Sequence, residues 1–232
     1  MSERPALIRQ HGDTAPPALL AEWAVDRGIE IEVQRTDVAA IPDPDLRGRP
    51  FVASLGSKYS PADREVPAVA AELSLIERAV TEEVPVLGLC YGAQVLAAVL
   101  GGRIEAAPEP ELGWHRIDSR VPQDVPEGPW LQWHYLRFTL PPGAEELARS
   151  PRALQAFASG PHLAVQFHPE STVEIVQGWA RKDRERLTDL GVTDGESLAA
   201  DGRGYAAAAR TAAFTLFDAF RRRAHHAERS DP

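Results

Sequence analysis

Cys90 stands between Gly88 and Gly92, two residues from each. An apolar stretch of strand length, Val84 to Leu89, precedes it. Small residues of helical character follow from Ala93 to Leu100, and Gly101-Gly102 stops them. A nucleophile raised out of a sheet on a sharp strand-to-helix turn carries this G-x-nucleophile-x-G pattern, here with Cys where hydrolases place Ser. The turn forces unusual backbone angles on the nucleophile, and side chains two positions away would collide. Glycine removes that clash. The helix behind the turn aims free N–H groups and the positive end of its dipole at the sulfur, which favours thiolate. The competing reading is a buried core cysteine, the usual setting of a lone Cys.

A cysteine nucleophile needs a base, and the candidate lies in Val165-Gln166-Phe167-His168-Pro169-Glu170. If a strand runs through His168, its two-residue period places His168 and Glu170 on one side near the sheet edge. Pro169 then ends the ladder, having no N–H to donate. A carboxylate beside an imidazole fixes its tautomer and stabilises the imidazolium, the orienting role in a triad. Taken alone, the segment reads equally as a surface turn after a strand. His115 and His134 each follow a tryptophan, and His134 suits a pocket lining. His11 and His162 read as loop residues, His225-His226 as part of a solvated tail. No cluster of His, Cys, Asp and Glu has metal-ligand spacing, so no metal is expected. Neither G-x-G-x-x-G nor a phosphate loop is present, so no nucleotide cofactor is expected.

The elements that must position these residues alternate. Pro5–Arg9 reads as a first strand, Pro16–Arg27 as a helix with Leu19, Leu20, Trp23 and Ala24 on one stripe, and Ile29–Arg35 as an alternating strand. A Pro/Asp-rich loop over Ile41–Pro50 leads to the strand Phe51–Leu55, and a helix over Val66–Glu83 precedes the elbow. This order predicts an α/β fold: a mixed, mostly parallel central sheet with helices on both faces. Gly113–Asp118, Leu131–Leu140 and Ala153–Ser159 suggest a small antiparallel excursion, from which His162–His168 returns. Residues 171–188 read as helix, Thr188–Gly204 as a polar loop with a short helical piece, Tyr205–Arg223 as a closing helix, and the charged tail as frayed.

At 232 residues, 44% hydrophobic and 25% charged, the chain suits one globular domain, with a core over about 5–180 and a helical extension over about 181–226. A net charge of −9 argues against a nucleic-acid partner. One cysteine forbids an intrachain disulfide, and no run approaches the ~20 apolar residues that span a bilayer, so a cytoplasmic protein is expected.

Gly88-Leu-Cys90-Tyr-Gly92-Ala-Gln94, followed about 75 residues later by Gln166-Phe-His168-Pro-Glu170, resembles the class I glutamine amidotransferase family, in the stand-alone branch similar to the glutaminase half of GMP synthase. The resemblance covers about residues 5–180 and implies the flavodoxin-like layering of that family. It implies Cys90, His168 and Glu170 as the triad, an oxyanion hole from the Gly56 and Tyr91 N–H groups, and Gln94 at the substrate's amino-acid end. It also implies that Gln132-Trp133-His134 lines the glutamine pocket. Two positions depart from the family pattern. Leu55-Gly56-Ser57 stands where Gly-Gly-Pro is frequent, and Leu136 where an acid often follows the histidine by two places.

The implied reaction is glutamine hydrolysis through a γ-glutamyl thioester, supplying ammonia to an acceptor. Only about 50 residues follow residue 180, so the expectation is either that a separate synthetase subunit takes the ammonia or that the protein releases it. The alternatives are a γ-glutamyl hydrolase or peptidase with the same triad, and a non-catalytic regulatory subunit. An α/β-hydrolase-type cysteine enzyme fits poorly, because there the acid precedes the histidine in chain order.

Overall fold

The computed structural model of the chain describes residues 4–38, 43–191 and 195–228. Its elements in order are β1 (Ala6–Gln10), α1 (Ala18–Asp26), β2 (Ile31–Arg35), β3 (Val52–Ser54), α2 (Pro67–Thr81), β4 (Val86–Leu89) and α3 (Tyr91–Val99). There follow β5 (Ile104–His115), β6 (Asp118–Ser119), β7 (Trp130–Phe138), β8 (Glu145–Arg149), β9 (Leu154–Ser159) and β10 (His162–Val165). Helices α4 (Val173–Lys182), α5 (Arg184–Asp189) and α6 (Gly195–Glu228) complete the chain.

Among the described residues, eight strands form one sheet in the order β2-β1-β3-β4-β10-β9-β8-β6. The five from β2 to β10 are mutually parallel, and β9, β8 and β6 continue it antiparallel. Strands β1, β3 and β4 are buried throughout, as a parallel sheet covered on both faces requires. On one face, Trp23 of α1 and Phe217 and Phe220 of α6 pack around Phe51. On the other, α2 and α3 bury Val69, Leu73, Ile76, Val95 and Leu96. The apolar stripe read in the first helix is the face that α1 buries. Among the described residues, no helix is long and apolar enough to cross a membrane.

Three strand expectations are corrected. The segment Ala153–Ser159 is not part of a separate excursion. β9 joins the main sheet beside β10, with most of its residues buried, while β5 and β7 alone make the two-stranded antiparallel piece. Strand β5 also starts well before Gly113, and its register breaks between Ala106 and Glu111, around Pro108 and Pro110, which have no N–H for the ladder. The return strand β10 stops at Val165, so His168 is not a strand residue.

The stretch Thr188–Gly204, read as a polar loop, ends inside α6, which is already helical from Gly195. Glycine weakens a helix by ~1 kcal/mol relative to alanine, so Gly202 and Gly204 argued for a loop. Packing overrides that penalty. A Cβ on Gly202 would lie 3.0 Å from the Trp114 ring, and the Trp114 indole N–H donates to the Leu198 carbonyl at 3.0 Å. The expected 171–188 helix breaks at Asp183 into α4 and α5. Part of the expected loop at 41–50 and the last four residues of the tail lie outside the described residues.

Candidate active site

Cys90 sits between the end of β4 and the start of α3 with φ +52° and ψ −102°, a conformation rare for a residue with a side chain. Its neighbours make this turn possible by close approach. A Cβ on Gly88 would lie 2.7 Å from the Gly92 carbonyl oxygen, and one on Gly92 only 2.0 Å from that of Ser54. The Cys90 N–H donates to the Val165 carbonyl at 2.9 Å, tying the elbow to the end of β10.

From Val165 the chain leaves the sheet and turns, and the turn rather than a strand period brings His168 to Glu170. The His168 Nδ1 lies 2.8 Å from Glu170 Oε1, and both side chains are buried. Burial alone would discharge the ring. The charge of a Cys90 thiolate, then that of Glu170 together with its hydrogen bond, outweigh burial and raise the imidazolium pKa to about 10. The geometry therefore favours the protonated form of His168.

Cys90 and His168 face one half-open cavity of about 210 Å³. Trp133 and Trp179 line it, their rings 5.7 Å apart, and Trp179 meets the His168 ring edge-on at 4.7 Å. Asp13, Asp37 and Asp183 carry carboxylates to its lining, and Lys58 and Lys182 carry ammonium groups. Gly56 lies against the His168 ring: a Cβ there would be 2.9 Å from Cε1. The Gly92 N–H donates to the Leu55 carbonyl at 3.2 Å, so the Gly56 loop is fastened to the first turn of α3. Neither the Gly56 nor the Tyr91 N–H has a protein acceptor among the described residues.

The remaining expected site residues fall in different places. Gln94 does not line the cavity. It is buried behind Cys90, and its amide donates to Gln166 Oε1 at 3.4 Å. The Gln166 amide in turn points a donor at Cys90 Sγ from 3.8 Å. Of Gln132, Trp133 and His134, only Trp133 reaches the cavity, and its indole N–H donates to Asp183 at 3.1 Å. Gln132 and His134 lie in a buried network. Gln132 donates to Gln155 at 2.9 Å, and His134 meets Gln132 Oε1 at 3.1 Å and the Leu136 carbonyl at 3.0 Å.

Four residues were not singled out by sequence reasoning. Gln166 stood inside the quoted motif without a role, and its spacing from the histidine was the available signal. Trp179 and Asp183 fall within the segment 171–188, read only as helix. His11, read as a loop residue outside the site, follows β1 and lines the cavity. His162, read the same way, is instead a buried strand residue whose Nδ1 accepts the Val86 N–H at 3.2 Å. Burial alone pushes its pKa down to about 4.

Fold and site together define an α/β protein that presents a cysteine on a strand-to-helix elbow beside an imidazole–carboxylate pair. The family model described as "Glutamine amidotransferase class-I" matches residues 21–176, and the chain belongs to that family. Among curated proteins it is similar to a GMP synthase [glutamine-hydrolyzing] of Thermomicrobium roseum, 33% identical over 142 residues, 58% of this chain and 25% of that protein. Another, from Bordetella avium, is 32% identical over 185 residues, 70% of this chain and 33% of that one. The matched region thus spans a quarter to a third of these relatives. A glutamine amido transferase of Methylobacillus flagellatus superposes with a TM-score of 0.86 over 96% of both chains at 25% identity. A Thermotoga maritima glutamine amidotransferase shares the fold, with a TM-score of 0.85 at 21% identity.

Proposed function

We propose that the chain, as a single domain, hydrolyses the side-chain amide of glutamine through a Cys90–His168–Glu170 triad, and that a separate ammonia-consuming synthetase takes up the product. The observation that carries this reading is the meeting of a strained, cavity-facing Cys90 with a His168 held by Glu170 at 2.8 Å. The Cys90 thiolate adds to the amide carbon, and the carbonyl electron pair moves onto oxygen, where the Gly56 and Tyr91 N–H groups receive it. One such donor is worth ~2.7–4 kcal/mol of barrier. His168 protonates the amide nitrogen, the C–N bond breaks, and ammonia leaves a γ-glutamyl thioester on Cys90. The neutral imidazole, oriented by Glu170, then takes a proton from water, whose oxygen attacks the thioester and releases glutamate and the thiolate.

The mixed charges of the cavity lining suit an amino acid that carries both a carboxylate and an ammonium group. Gln166 supports the thiolate from behind, and Gln94 orients Gln166. The proposed partner rests on the relatives named GMP synthase, which are much longer than their matched region. The test is ammonia release by the purified chain from glutamine and from γ-glutamyl amides, beside Cys90→Ala. Cys90-dependent release with glutamine preferred supports the proposal. Preference for γ-glutamyl amides would make the chain a γ-glutamyl hydrolase, and turnover that survives Cys90→Ala would sink the triad.

A further inference from the structure

One buried polar chain near the cavity has no part in the chemistry above. His11 Nδ1 lies 2.9 Å from the Thr36 hydroxyl, and its Nε2 lies 3.2 Å from the Ser54 hydroxyl. The Ser54 hydroxyl is 2.7 Å from Glu72 Oε1, and Arg9 Nε donates to Glu72 Oε2 at 2.9 Å. All five residues are buried, Ser54 and Glu72 completely.

The proton positions follow from the inventory of donors and acceptors. Glu72, paired with Arg9, is an acceptor only, so the Ser54 O–H points at Glu72. Ser54 Oγ is then left to accept, and His11 must bring a proton on Nε2. Burial favours the neutral ring, in which Nδ1 accepts from Thr36. Its pKa is lowered, chiefly by burial and against the attraction of Glu72. Every hydrogen bond in the chain has one direction, which makes it a stiff connector in a low-dielectric interior.

The connector ends on the two places from which the oxyanion would be held. Ser54 is the last residue of β3 and lies two residues before Gly56. The Ser54–Gly56 segment is clamped on its other sides by the Leu55 N–H, which donates to the Arg9 carbonyl at 3.1 Å, and by the Gly92 N–H on the Leu55 carbonyl. The His11 ring stands edge-on to Tyr91 with centroids 4.9 Å apart. A single histidine thus touches the residue that follows the nucleophile and, through Ser54, the loop that carries Gly56.

We propose that the His11–Ser54–Glu72–Arg9 chain is a positioning device that sets the spacing of the Gly56 and Tyr91 N–H groups, with His11 and Ser54 as positioning residues for the oxyanion. The proposal rests on the glutaminase reading of the site. Ser54 does not line the cavity, so it cannot act by touching substrate.

The experiment compares Ser54→Ala and His11→Ala with the wild-type chain in three assays. Steady-state glutamine hydrolysis gives kcat and KM. Alkylation by iodoacetamide, in which Sγ displaces iodide without forming an oxyanion, reports the thiolate alone. Binding of the analogue with an aldehyde in place of the side-chain amide reports the oxyanion hole, because Sγ adds to its carbonyl carbon and the electron pair goes to oxygen.

The expected result is a fall in kcat of about 10–100-fold, within what one misplaced oxyanion donor costs. KM and alkylation rate should stay within about twofold, and aldehyde affinity should fall by the same factor as kcat. If Ser54→Ala fails to melt cooperatively, His11→Ala, at the cavity wall, carries the test. Unchanged kcat, a rise in KM alone, or alkylation falling in step with kcat would overturn the proposal. Wild type that alkylates but neither hydrolyses glutamine nor binds the aldehyde would overturn the glutaminase reading, and this proposal with it.

Discussion

Gly56→Ala probes the least regular part of the candidate site. A Cβ at Gly56 would stand 2.9 Å from His168 Cε1. Carbon atoms in ordinary contact are ~3.5–4.0 Å apart, so ring and loop must separate by about 0.6 Å or more. The ring has little freedom to retreat. Glu170 holds Nδ1 at 2.8 Å and Trp179 packs edge-on at 4.7 Å. The loop therefore gives way and takes the Gly56 N–H with it. Removing one oxyanion donor costs ~10²–10³ in kcat, and a 1 Å misplacement on the order of 10². The expected outcome is a kcat about 100-fold below wild type, with KM little changed. Iodoacetamide alkylation of Cys90 should continue at a near-normal rate, because thiolate formation does not use the loop. A Gly56→Ala protein within about threefold of wild-type kcat would refute the reasoning and remove Gly56 from the oxyanion hole.

Glu170→Gln removes the carboxylate that lies 2.8 Å from His168 Nδ1 and that the proposed triad uses to orient the ring. By the triad template, kcat should fall by roughly 10²–10⁴. Glu170 helps to raise the His168 pKa to about 10 in the free enzyme, so losing it should move the alkaline limb of the kcat/KM–pH profile to lower pH. An alkaline limb that stays in place would show that Glu170 does not act on His168. His162, with a pKa lowered to about 4, folds neutral and gains a proton more readily once unfolded. Its contribution to stability is present above the unfolded value of ~6.5 and is lost as pH falls toward 4, about 3 kcal/mol at most. His162→Asn, which retains an acceptor for the Val86 N–H, should flatten the acid side of a Tm–pH profile; an unchanged slope would acquit His162. Phe217→Ala, at a fully buried position, should cost ~3–5 kcal/mol in denaturant unfolding, whereas Val25→Ala, at a position 78% exposed, should change stability by less than ~0.5 kcal/mol.

What could be read from the sequence was what local geometry dictates. The elbow around Cys90 was legible because a strained turn excludes side chains at residues 88 and 92, and glycine at both leaves a local signature. The stripe Leu19, Leu20, Trp23, Ala24 was legible because helical period alone sets which face is buried. His168 and Glu170 were paired correctly for the wrong reason: β10 ends three residues early, and a turn does what a strand period was expected to do. What stayed hidden depends on long-range approach. His11 reaches the site by packing beside Ser54, 43 residues away, and Gln166 reaches Cys90 across 76. The start of α6 was hidden because Gly202 disfavours helix on its own, and the packing against Trp114 of β5 is a long-range contact.

The central claim is that Cys90 carries the glutamyl group during turnover. It is tested most directly by acid-quenching the chain during reaction with glutamine, digesting it and weighing the peptides. A γ-glutamyl adduct on the Cys90 peptide, present during turnover and absent from Cys90→Ala, is the predicted result. Ammonia release without an adduct at Cys90, continuing in Cys90→Ala, would contradict it.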